Sequence, residues 1–528
     1  MRSAFYDLAS IGVVKDKPPH TLNKNVWSNV SNGSFADFKA SNKQGSSFSV
    51  TQPSENPLKM TFINVTGTPF FVYGTATKLW CLSGTVHTDI TRLAGASPYA
   101  LSAERTWGFA EFGGLLIANN GNDTPQYWPQ TSTGTDMANM TAWPASTKAK
   151  VIRAFKNFLV GYHITKGAND FPHMVKWSHP ADPGTLPVSW DHTDATKDAG
   201  EYPLIETGDI IIDALSLRDL NLIYKERTTW SMQFIGGTNI FAFRKVFGNL
   251  GIIGQDCAVD LGDRHFVFTL DDLIIHDGLR VNSVADGKVL RHIYNELDTT
   301  NYKNSFCLHR KLTKEVMVFY PKTGSVYPNS CAVYNYVSGA WTFFSYNNQV
   351  SGGAEGYTGT LDTWSTDTGT WSTDTSVWDS GGFSALDKRL VLTCPVDSGL
   401  LTINVGTTDG RKSGATVTDN AFTTLFQRDA IVFAEERAPN LDNPQYVKQV
   451  TAVYPNIVML TGATMQVSVG AAENPEGPYT YQTVNFTPSS SKKVDVNVSG
   501  RFFSVKFSGQ ESFTLNSYMM DVKIIGSC

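Results

Sequence analysis

The sequence predicts an almost all-β fold of two or three domains, and its composition, its turn-rich hairpins and their regular recurrence all favour that class. Its 528 residues exceed one ordinary domain, and 41% of them are hydrophobic, which is enough to fill sizeable cores. Only 17% are charged, whereas 12% are aromatic and 44 are glycine. Long amphipathic helices need many Glu, Lys, Ala and Leu residues, while short strands and tight turns use aromatic residues and glycine.

A hairpin unit recurs along the chain, made of a short apolar strand, a polar turn and a second strand that ends in an aromatic residue or His. Its copies are Pro69–Leu82, Phe112–Trp128, Phe155–Trp177, Leu220–Phe234, Arg264–Gly278, Glu315–Phe344 and Arg389–Ile403. Phe71, Leu115 and Phe158 occupy equivalent positions about 44 residues apart, and a period of roughly 40–50 residues is typical of a β-propeller. We therefore expect a β-propeller of about six blades, with an array of β-sandwiches as the alternative.

Three regions follow from the change of pattern along the chain. Residues 1–55 lack periodicity and are rich in Asn, Ser, Lys and Pro, which predicts an N-terminal arm that lies along other surfaces. Residues 56–404 carry the repeat and are expected to form the β-propeller, with loop insertions on its rim. Residues 405–528 contain short alternating strands, which predicts a C-terminal β-sandwich-like platform domain. The sequence leaves open whether the last strand of this region returns to close the propeller ring.

The charge balance argues against several classes of partner. The formal net charge is −5, so the chain has no bulk attraction for nucleic acid or anionic membranes. No apolar run approaches the ~20 residues that cross a bilayer, and no secretory signal is visible.

The six cysteines lie far apart without metal-ligand spacing, which predicts reduced structural thiols in a cytosolic protein.

A tryptophan repeat stands out in the segment TWSTDTGTWSTDTSVWDSGG, where Trp364, Trp371 and Trp378 follow one another at intervals of seven residues. Thr, Asp and Ser are poor helix formers, so we interpret the repeat as turns that each present one tryptophan. These side chains either plug neighbouring blade edges or form an aromatic platform that binds carbohydrate or a protein partner. The motif STDTGTW also approaches the Asp box of sialidase-like propellers, although it is one residue short and the box is a folding element.

We expect no catalytic residue, no cofactor and no metal site. The acidic pairs Asp271–Asp272 and Glu435–Glu436 are candidates for a divalent ion or for acid–base work, but the first lies in a hairpin in which Asp ordinarily makes the turn. The histidines form no HExxH motif, and the chain has no phosphate-binding glycine loop, GxSxG elbow or CxxC pair.

The segment Asp213–Gly278 resembles the tail nozzle proteins of short-tailed bacteriophages, also called tail tubular or packaged-DNA stabilisation proteins. The resemblance depends on Tyr-Lys-Glu-x-x-x-Trp-x-Met-Gln at 224–233, Gly-Ile-Ile-Gly at 251–254 and the Leu-Asp-Asp hairpin at 270–272. Other matching pieces are IGVVKDKPPHTL, LLIANNGNDTPQYW and the closing GRFFSVKFS. No single motif is stringent, and their order along most of the chain gives the resemblance its weight.

This resemblance implies a structural virion protein in the tail, assembled in the host cytoplasm. Six copies form a ring below the portal and adaptor, extend the DNA channel, help to retain the packaged genome and pass it during ejection. Its implied partners are the other copies of the homohexamer, the phage adaptor (head-to-tail) protein, tail fibre or spike proteins, and double-stranded DNA that passes through the lumen without sequence-specific binding. The alternatives are a carbohydrate-binding β-propeller and a sialidase-like hydrolase.

Overall fold

The structure is a computed structural model that describes residues 2–65, 68–92, 98–101, 106–129, 134–237, 239–357, 388–435, 438–442 and 444–527. Strands dominate these residues. They contain one α-helix, the two-turn Leu290–Glu296, and three 3-10 turns at Pro19–Thr21, Ala36–Phe38 and Tyr302–Asn304. The near all-β class predicted from composition and hairpin pattern is confirmed for this part of the chain. No helix within it is both long and apolar enough to cross a bilayer.

Six four-stranded antiparallel sheets follow one another along the chain. Sheet 1 comprises Lys59–Val65, Thr68–Gly74, Leu79–Ser83 and Val86–Asp89; sheet 2 comprises Gly108–Phe112, Leu115–Asn119, Gln126–Trp128 and Ala138–Asn139; sheet 3 comprises Thr147–Phe155, Phe158–Lys166, Asn169–Trp177 and Gly200–Pro203. Sheet 4 comprises Ile211–Leu217, Leu220–Lys225, Thr229–Phe234 and Phe241–Phe247; sheet 5 comprises Ala258–Asp260, His265–Phe268, Leu273–His276 and Val281–Ser283; sheet 6 comprises Phe306–Arg310, Glu315–Tyr320, Ser330–Asn335 and Trp341–Ser345.

A seventh sheet combines distant parts of the chain. Its order is Gly352–Tyr357, Lys388–Cys394, Gly399–Ile403, Ser46–Ser47, Thr408–Ser413 and Thr416–Ala421. Ser46 and Ser47 pair with Ile403 and Thr402 on one side, and Ser46 pairs with Asp409 on the other. The N-terminal segment therefore lies between strands that are adjacent in sequence and completes this sheet.

The seven sheets form a closed ring. The first strand of each sheet contacts the first strand of the next, and the first strand of sheet 7 contacts that of sheet 1. Successive small antiparallel sheets around a common centre are the architecture of a β-propeller. Each of the seven hairpin copies seen in the sequence lies in a different sheet of the ring. Among the described residues the ring therefore contains seven sheets, one more than the expected number of about six.

Two further sheets contain the C-terminal strands. Sheet 8 has the order Gly33–Ser34, Ala40–Asn42, Phe513–Ser527, Tyr446–Met459 and Val494–Gly500, with Arg2–Phe5 also paired to Phe513–Ser527; sheet 9 has the order Asn29–Ser31, Thr424–Ile431, Phe502–Gly509, Met465–Ala472 and Thr480–Phe486. Ala434–Glu435 and Ala438–Asp442 form a separate two-stranded sheet. Both large sheets bury alternate residues, as expected for sheets with one covered face.

Strand pairing crosses the expected boundaries after residues 55 and 404. Residues 1–55 supply strands to sheets 7, 8 and 9, and so this arm lies along surfaces of its own chain. The hairpin Thr408–Ser413 and Thr416–Ala421 belongs to the ring although it follows residue 404. The final strand, Phe513–Ser527, pairs within sheet 8 and does not close the ring.

The N-terminal segment joins the ring to the C-terminal sheets. Val13 donates a backbone hydrogen bond to the Trp341 carbonyl of sheet 6, and Trp27 donates one to the Gly12 carbonyl. A Cβ at Gly12 would lie 2.6 Å from the Trp341 carbonyl oxygen, so glycine permits this close approach. Trp27 packs on Phe426 of sheet 9 with ring centroids 5.3 Å apart. One hydrophobic cluster consequently runs from sheets 4 to 6 into sheets 8 and 9.

Candidate functional site

The three tryptophans predicted as a site lie outside the described residues. Trp364, Trp371 and Trp378 fall in the segment 358–387, between the first and second strands of sheet 7. Their roles as blade-edge plugs or as a binding platform remain predictions.

The centre of the ring contains an ion network built on Arg153, in the first strand of sheet 3. Its guanidinium donates to both carboxylate oxygens of Asp213 at 2.9 and 2.8 Å, a bidentate pair. The same group donates to Asp256 Oδ1 at 2.6 Å and to the Phe109 carbonyl at 3.2 Å. Lys59 Nζ lies 2.8 Å from the other oxygen of Asp256. The cations and carboxylates alternate, so each charge has an opposite neighbour.

This network reaches the innermost strand of every sheet in the ring. Lys59, Phe109, Arg153 and Asp213 belong to the first strands of sheets 1 to 4, and Asp256 lies two residues before the first strand of sheet 5. The Asp256 carbonyl accepts a hydrogen bond from the backbone of sheet 6 at 2.9 Å. In sheet 7, a Cβ at Gly352 would lie 2.9 Å from the Lys59 side chain, which therefore packs against bare backbone.

The electrostatics keep Asp256 ionised. Burial acts to raise the pKa of its carboxyl group, but the Lys59 and Arg153 cations hold that pKa far below its usual range. Burial acts to lower the pKa of the Arg153 guanidinium, and Asp213 and Asp256 outweigh it, so that pKa is raised. A general base works best with a pKa near the operating pH. Asp256 is therefore suited to binding cations and poorly suited to proton transfer near neutral pH.

Little space remains beside the network. A cavity of about 210 Å³ lies among the first strands, lined by Lys59, Arg153 and Asp256 and by apolar residues that include Trp107 and Phe306. The Lys59 ammonium also lies over the Phe306 ring, 5.2 Å from its centroid. The centre of the propeller is thus largely filled by paired charges, and these charges join its strands.

A second buried ion pair secures the closure of the ring in sheet 7. Lys43 Nζ lies 2.6 Å from Asp409 Oδ2, and the two side chains are 1% and 5% exposed. Ser46 donates to the other Asp409 oxygen at 2.9 Å, and Lys43 donates to the Ser345 carbonyl at 2.9 Å. Burial is the main influence on Lys43 and lowers the pKa of its ammonium group. Sheet 7 is therefore completed by the Lys43–Asp409 ion pair together with the strand pairings of Ser46 on its two sides.

A buried hydrogen-bonded triad lies in the segment that carries the family resemblance. The Tyr224 hydroxyl is 2.7 Å from His265 Nδ1 and 2.8 Å from His276 Nε2, which joins sheet 4 to sheet 5. His265 Nε2 is 3.0 Å from the Ser216 carbonyl, and His276 Nδ1 accepts from the Gly278 amide. These partners fix both histidines as neutral tautomers: Tyr224 donates to His265 and accepts from His276. Burial lowers the pKa of His265, and burial together with His265 lowers that of His276 to about 3.

The acidic pair Asp271–Asp272 has turn geometry. Thr269 Oγ1 accepts the backbone N–H groups of both aspartates, and Asp272 Oδ1 accepts from Leu273 and Ser283. Burial raises the pKa of Asp272. The pair at 435–436 lies outside the residues whose side chains are described. Within the described part of the chain, no group of three or more His, Cys, Asp or Glu residues is placed to hold a metal ion.

Sequence reasoning missed the residues that organise the centre of the ring. Asp213 interrupts an otherwise largely apolar strand, and this was the one signal present in the sequence. Arg153 shares its strand with Lys148 and Lys150, and Lys59 is the first residue of its strand. Their pairing was not visible because Arg153 and Asp213 are 60 residues apart in the chain. The five described cysteines are buried free thiols, and burial raises the pKa of Cys81 to about 12, which fits their expected structural role.

Comparisons with known proteins gave matches among solved structures alone. No family model matches the chain, and no curated protein matches it. Among solved structures, the β-propeller domain of Cps50 (Swd1) from Myceliophteria thermophila is 10% identical with a TM-score of 0.37, over 66% of this chain and 97% of that one. PorZ, a surface component of the type-IX secretion system of Porphyromonas gingivalis, is 9% identical with a TM-score of 0.36, over 85% of this chain and 46% of that one. This chain thus spans less than half of PorZ.

Proposed function

We propose that this chain is a non-enzymatic structural protein of a virion, which as six copies forms the nozzle at the distal end of a short phage tail. The observation that carries the proposal is the role of the segment Asp213–Gly278, on which the family resemblance depends. It supplies Asp213 and Asp256 to the ion network and the triad that joins sheets 4 and 5. Residues of this segment thus hold neighbouring sheets of the ring together.

We also infer a finer description of the fold. Each of the seven sheets is one propeller blade, and the two C-terminal sheets form a β-sandwich platform. Their shared hydrophobic cluster and the N-terminal segment between them support a platform that is rigidly packed on the propeller. Rigid, closed units suit a conduit that must keep its shape while DNA passes.

In this assignment the propeller centre is a structural joint and the DNA passes elsewhere, through the lumen between six subunits. The ion network occupies the centre of each ring, and the remaining cavity of about 210 Å³ is far too small for a duplex. The chain carries a net charge of −5, which disfavours tight contact of the lumen wall with phosphates. Loops on the propeller rim and the platform then provide contacts to neighbouring subunits, to the adaptor and to fibre or spike proteins.

Imaging of purified particles tests the assembly. We expect a six-fold ring of this protein at the distal end of the tail, into which the seven-sheet propeller and the platform fit as one body. Five-fold or twelve-fold symmetry at that position, or the absence of the protein from particles, contradicts the proposal. A monomer in solution does not decide the question, because such a ring can require the adaptor as its template.

A carbohydrate-binding propeller is the second candidate, favoured by the repeated Trp364, Trp371 and Trp378. A glycan array with the purified chain separates it from the nozzle: specific glycan binding that Trp371→Ala abolishes without a change in melting temperature favours this candidate. A buried plug instead predicts that Trp371→Ala lowers the free energy of unfolding by roughly 3–5 kcal/mol. A sialidase-like hydrolase is the third candidate, and turnover of a fluorogenic sialoside tests it.

A further inference from the structure

The N-terminal segment crosses the connection between sheets 5 and 6 and is fixed there by hydrogen bonds. The backbone amides of Lys15 and Asp16 both donate to the Lys288 carbonyl, at 2.7 and 3.0 Å. The Asp16 carboxylate accepts the amides of Arg291 and His292 at 2.9 and 3.1 Å, which are free groups at the start of the α-helix. These contacts hold the Lys15 side chain beside the imidazole of His292.

The amine of Lys15 contacts this histidine and an aromatic ring. Its Nζ lies 3.0 Å from His292 Nε2 and 4.6 Å from the centroid of the Phe343 ring. An ammonium group can only donate, so the imidazole Nε2 accepts this hydrogen bond and the ring proton of neutral His292 is on Nδ1. The imidazole in turn packs edge-on against Phe343, with centroids 5.0 Å apart. The half-buried Lys15 amine therefore lies between a proton acceptor and an aromatic face.

The carboxylate of Glu296, one turn along the same helix, is held by other partners. Its Oε2 atom lies 3.0 Å from Lys322 Nζ and accepts from the Tyr320 hydroxyl at 3.2 Å. Its Oε1 atom lies 3.7 Å from His292 Nε2, which is beyond ordinary hydrogen-bond range. Lys15 thus differs from the ion-paired lysines of the ring, because the groups that its amine contacts directly are uncharged.

These surroundings favour an uncharged amine. Burial is the main influence on Lys15 and lowers its pKa; the Lys322 cation acts in the same direction, and Glu296 opposes both. Burial and the Lys15 cation also lower the pKa of His292, which keeps its imidazole neutral near neutral pH. A larger fraction of Lys15 is therefore a free amine than of a lysine with the ordinary pKa of about 10.4.

We propose that Lys15 is a nucleophilic lysine that accepts an acyl group from a small thioester, with His292 as the proton acceptor. The lone pair of Nζ attacks the thioester carbonyl, a C–N bond forms, the C–S bond breaks and the thiolate leaves. The proton that the nitrogen must lose goes to His292 Nε2, 3.0 Å away, and then to the thiolate. The products are an amide at Lys15 and a thiol. A small uncharged acyl group such as acetyl suits a site whose other wall is the Phe343 ring.

Labelling of the full chain with S-acetyl-N-acetylcysteamine, a small thioester, tests the proposal. Mass spectrometry after brief reaction near neutral pH gives the acetylation rates of Lys15 and of Lys17, an exposed lysine on the same segment. We expect Lys15 to react at least about tenfold faster, a quotient of rates that we term the labelling ratio. Accessibility alone predicts the opposite order. The Lys15 rate should also level off below a pH of about 10.4, because its pKa is lowered.

Three variants separate the proton acceptor from general effects of charge. His292→Gln keeps a hydrogen-bond acceptor but cannot take the proton, and is expected to lower the labelling ratio by about tenfold. Lys322→Met frees Glu296 to pair with Lys15 as an ammonium group, and is expected to lower the ratio by about threefold. Lys303→Met, at an exposed position on the same connection, is the matched control and leaves the ratio unchanged.

Circular dichroism and the melting temperature establish that each variant is folded, and the parent chain decides the question where a variant is not. A labelling ratio below about tenfold in the parent chain overturns the proposal. So does a ratio that His292→Gln or Lys322→Met leaves unchanged, or one that Lys303→Met lowers as much as Lys322→Met does.

Discussion

The centre of the propeller and the interior of the C-terminal sheets hold their strands together by different means. Arg153, Asp213, Asp256 and Lys59 join the innermost strands of the ring through ion pairs. Between sheets 8 and 9 the contacts are made by rings, as where Phe507 of sheet 9 packs on Tyr518 of sheet 8 with centroids 5.1 Å apart. One region is thus ordered by charge and the other by apolar packing.

The difference follows from geometry. Seven strands that converge on one axis leave a narrow space, in which long polar side chains reach from strand to strand. Sheets 8 and 9 share one large hydrophobic cluster, and burial from water favours large apolar side chains there. Ion pairs determine which strands contact one another, because each guanidinium and each carboxylate needs a partner. Apolar burial stabilises the fold with less directional preference.

The largest effect is expected from removing the cation at the centre of the ring. Arg153→Met leaves Asp213 and Asp256 without their shared partner, and breaking a buried ion network in this way costs about 3–5 kcal/mol. Chemical denaturation followed by intrinsic tryptophan fluorescence measures the loss.

The control for that variant is Lys493→Met, in the C-terminal region. Lys493 pairs with Asp495, and their side chains are 51% and 70% exposed. An exposed pair contributes between nothing and about 1 kcal/mol, so this variant is expected to be close to the parent chain. Equal losses for the two variants contradict the structural role assigned to the ring network.

A smaller loss is expected from Trp27→Phe in the apolar region. Trp27 is 1% exposed, and its indole donates to the Leu8 carbonyl at 2.7 Å. Phenylalanine leaves a small cavity and an unpaired carbonyl, which together cost about 1.5–3 kcal/mol. Because no charge is removed, the loss should be the same in low and high salt when denaturation is repeated at both. A strong dependence on salt contradicts apolar packing as the source of this stability.

The sequence predicted the parts of this fold that are local. Each hairpin copy, from Pro69–Leu82 to Arg389–Ile403, pairs strands joined by a short turn, so alternation and turn residues suffice to find it. The completion of sheet 7 by Ser46–Ser47 could not be found in this way, because its partners lie near the other end of the repeat region. A strand of two residues is too short to show a periodic pattern in the sequence.

The functional residues were harder to predict for a related reason. Trp371 was predicted as a candidate site residue because its repeat is local in the sequence. Arg153 and Asp256 form a site only when sheets 3 and 5 meet at the axis. Charge at a buried position is recognisable from the sequence only when the inward face of the strand is already known.

The triad of Tyr224, His265 and His276 predicts a modest dependence of stability on pH. Both histidines have a lower pKa in the folded chain than the ordinary value near 6.5, so below that pH the unfolded chain binds more protons. Their contribution is complete above pH 6.5 and is lost as the pH falls towards about 3 for His276. We expect His276→Gln to reduce the loss of unfolding free energy between pH 6.5 and 5 by about 1–2 kcal/mol. Parallel curves for the parent chain and the variant contradict this assignment.

The smallest expected effect is on DNA. Cations in both regions have partners within the chain, because Lys59 and Arg153 pair with carboxylates and Arg428 donates to carbonyls. The net charge of −5 is multiplied over any six-fold ring. A basic lining would release counterions and grip the duplex, which slows passage, whereas a polar or acidic lining keeps water between wall and phosphates. If the chain forms the proposed nozzle, retention of packaged DNA would depend on physical closure and not on phosphate binding. We expect no measurable gel shift with linear duplex DNA at physiological salt. Submicromolar binding that weakens steeply with salt would contradict this, and would direct attention to lysines and arginines concentrated on the lumen wall.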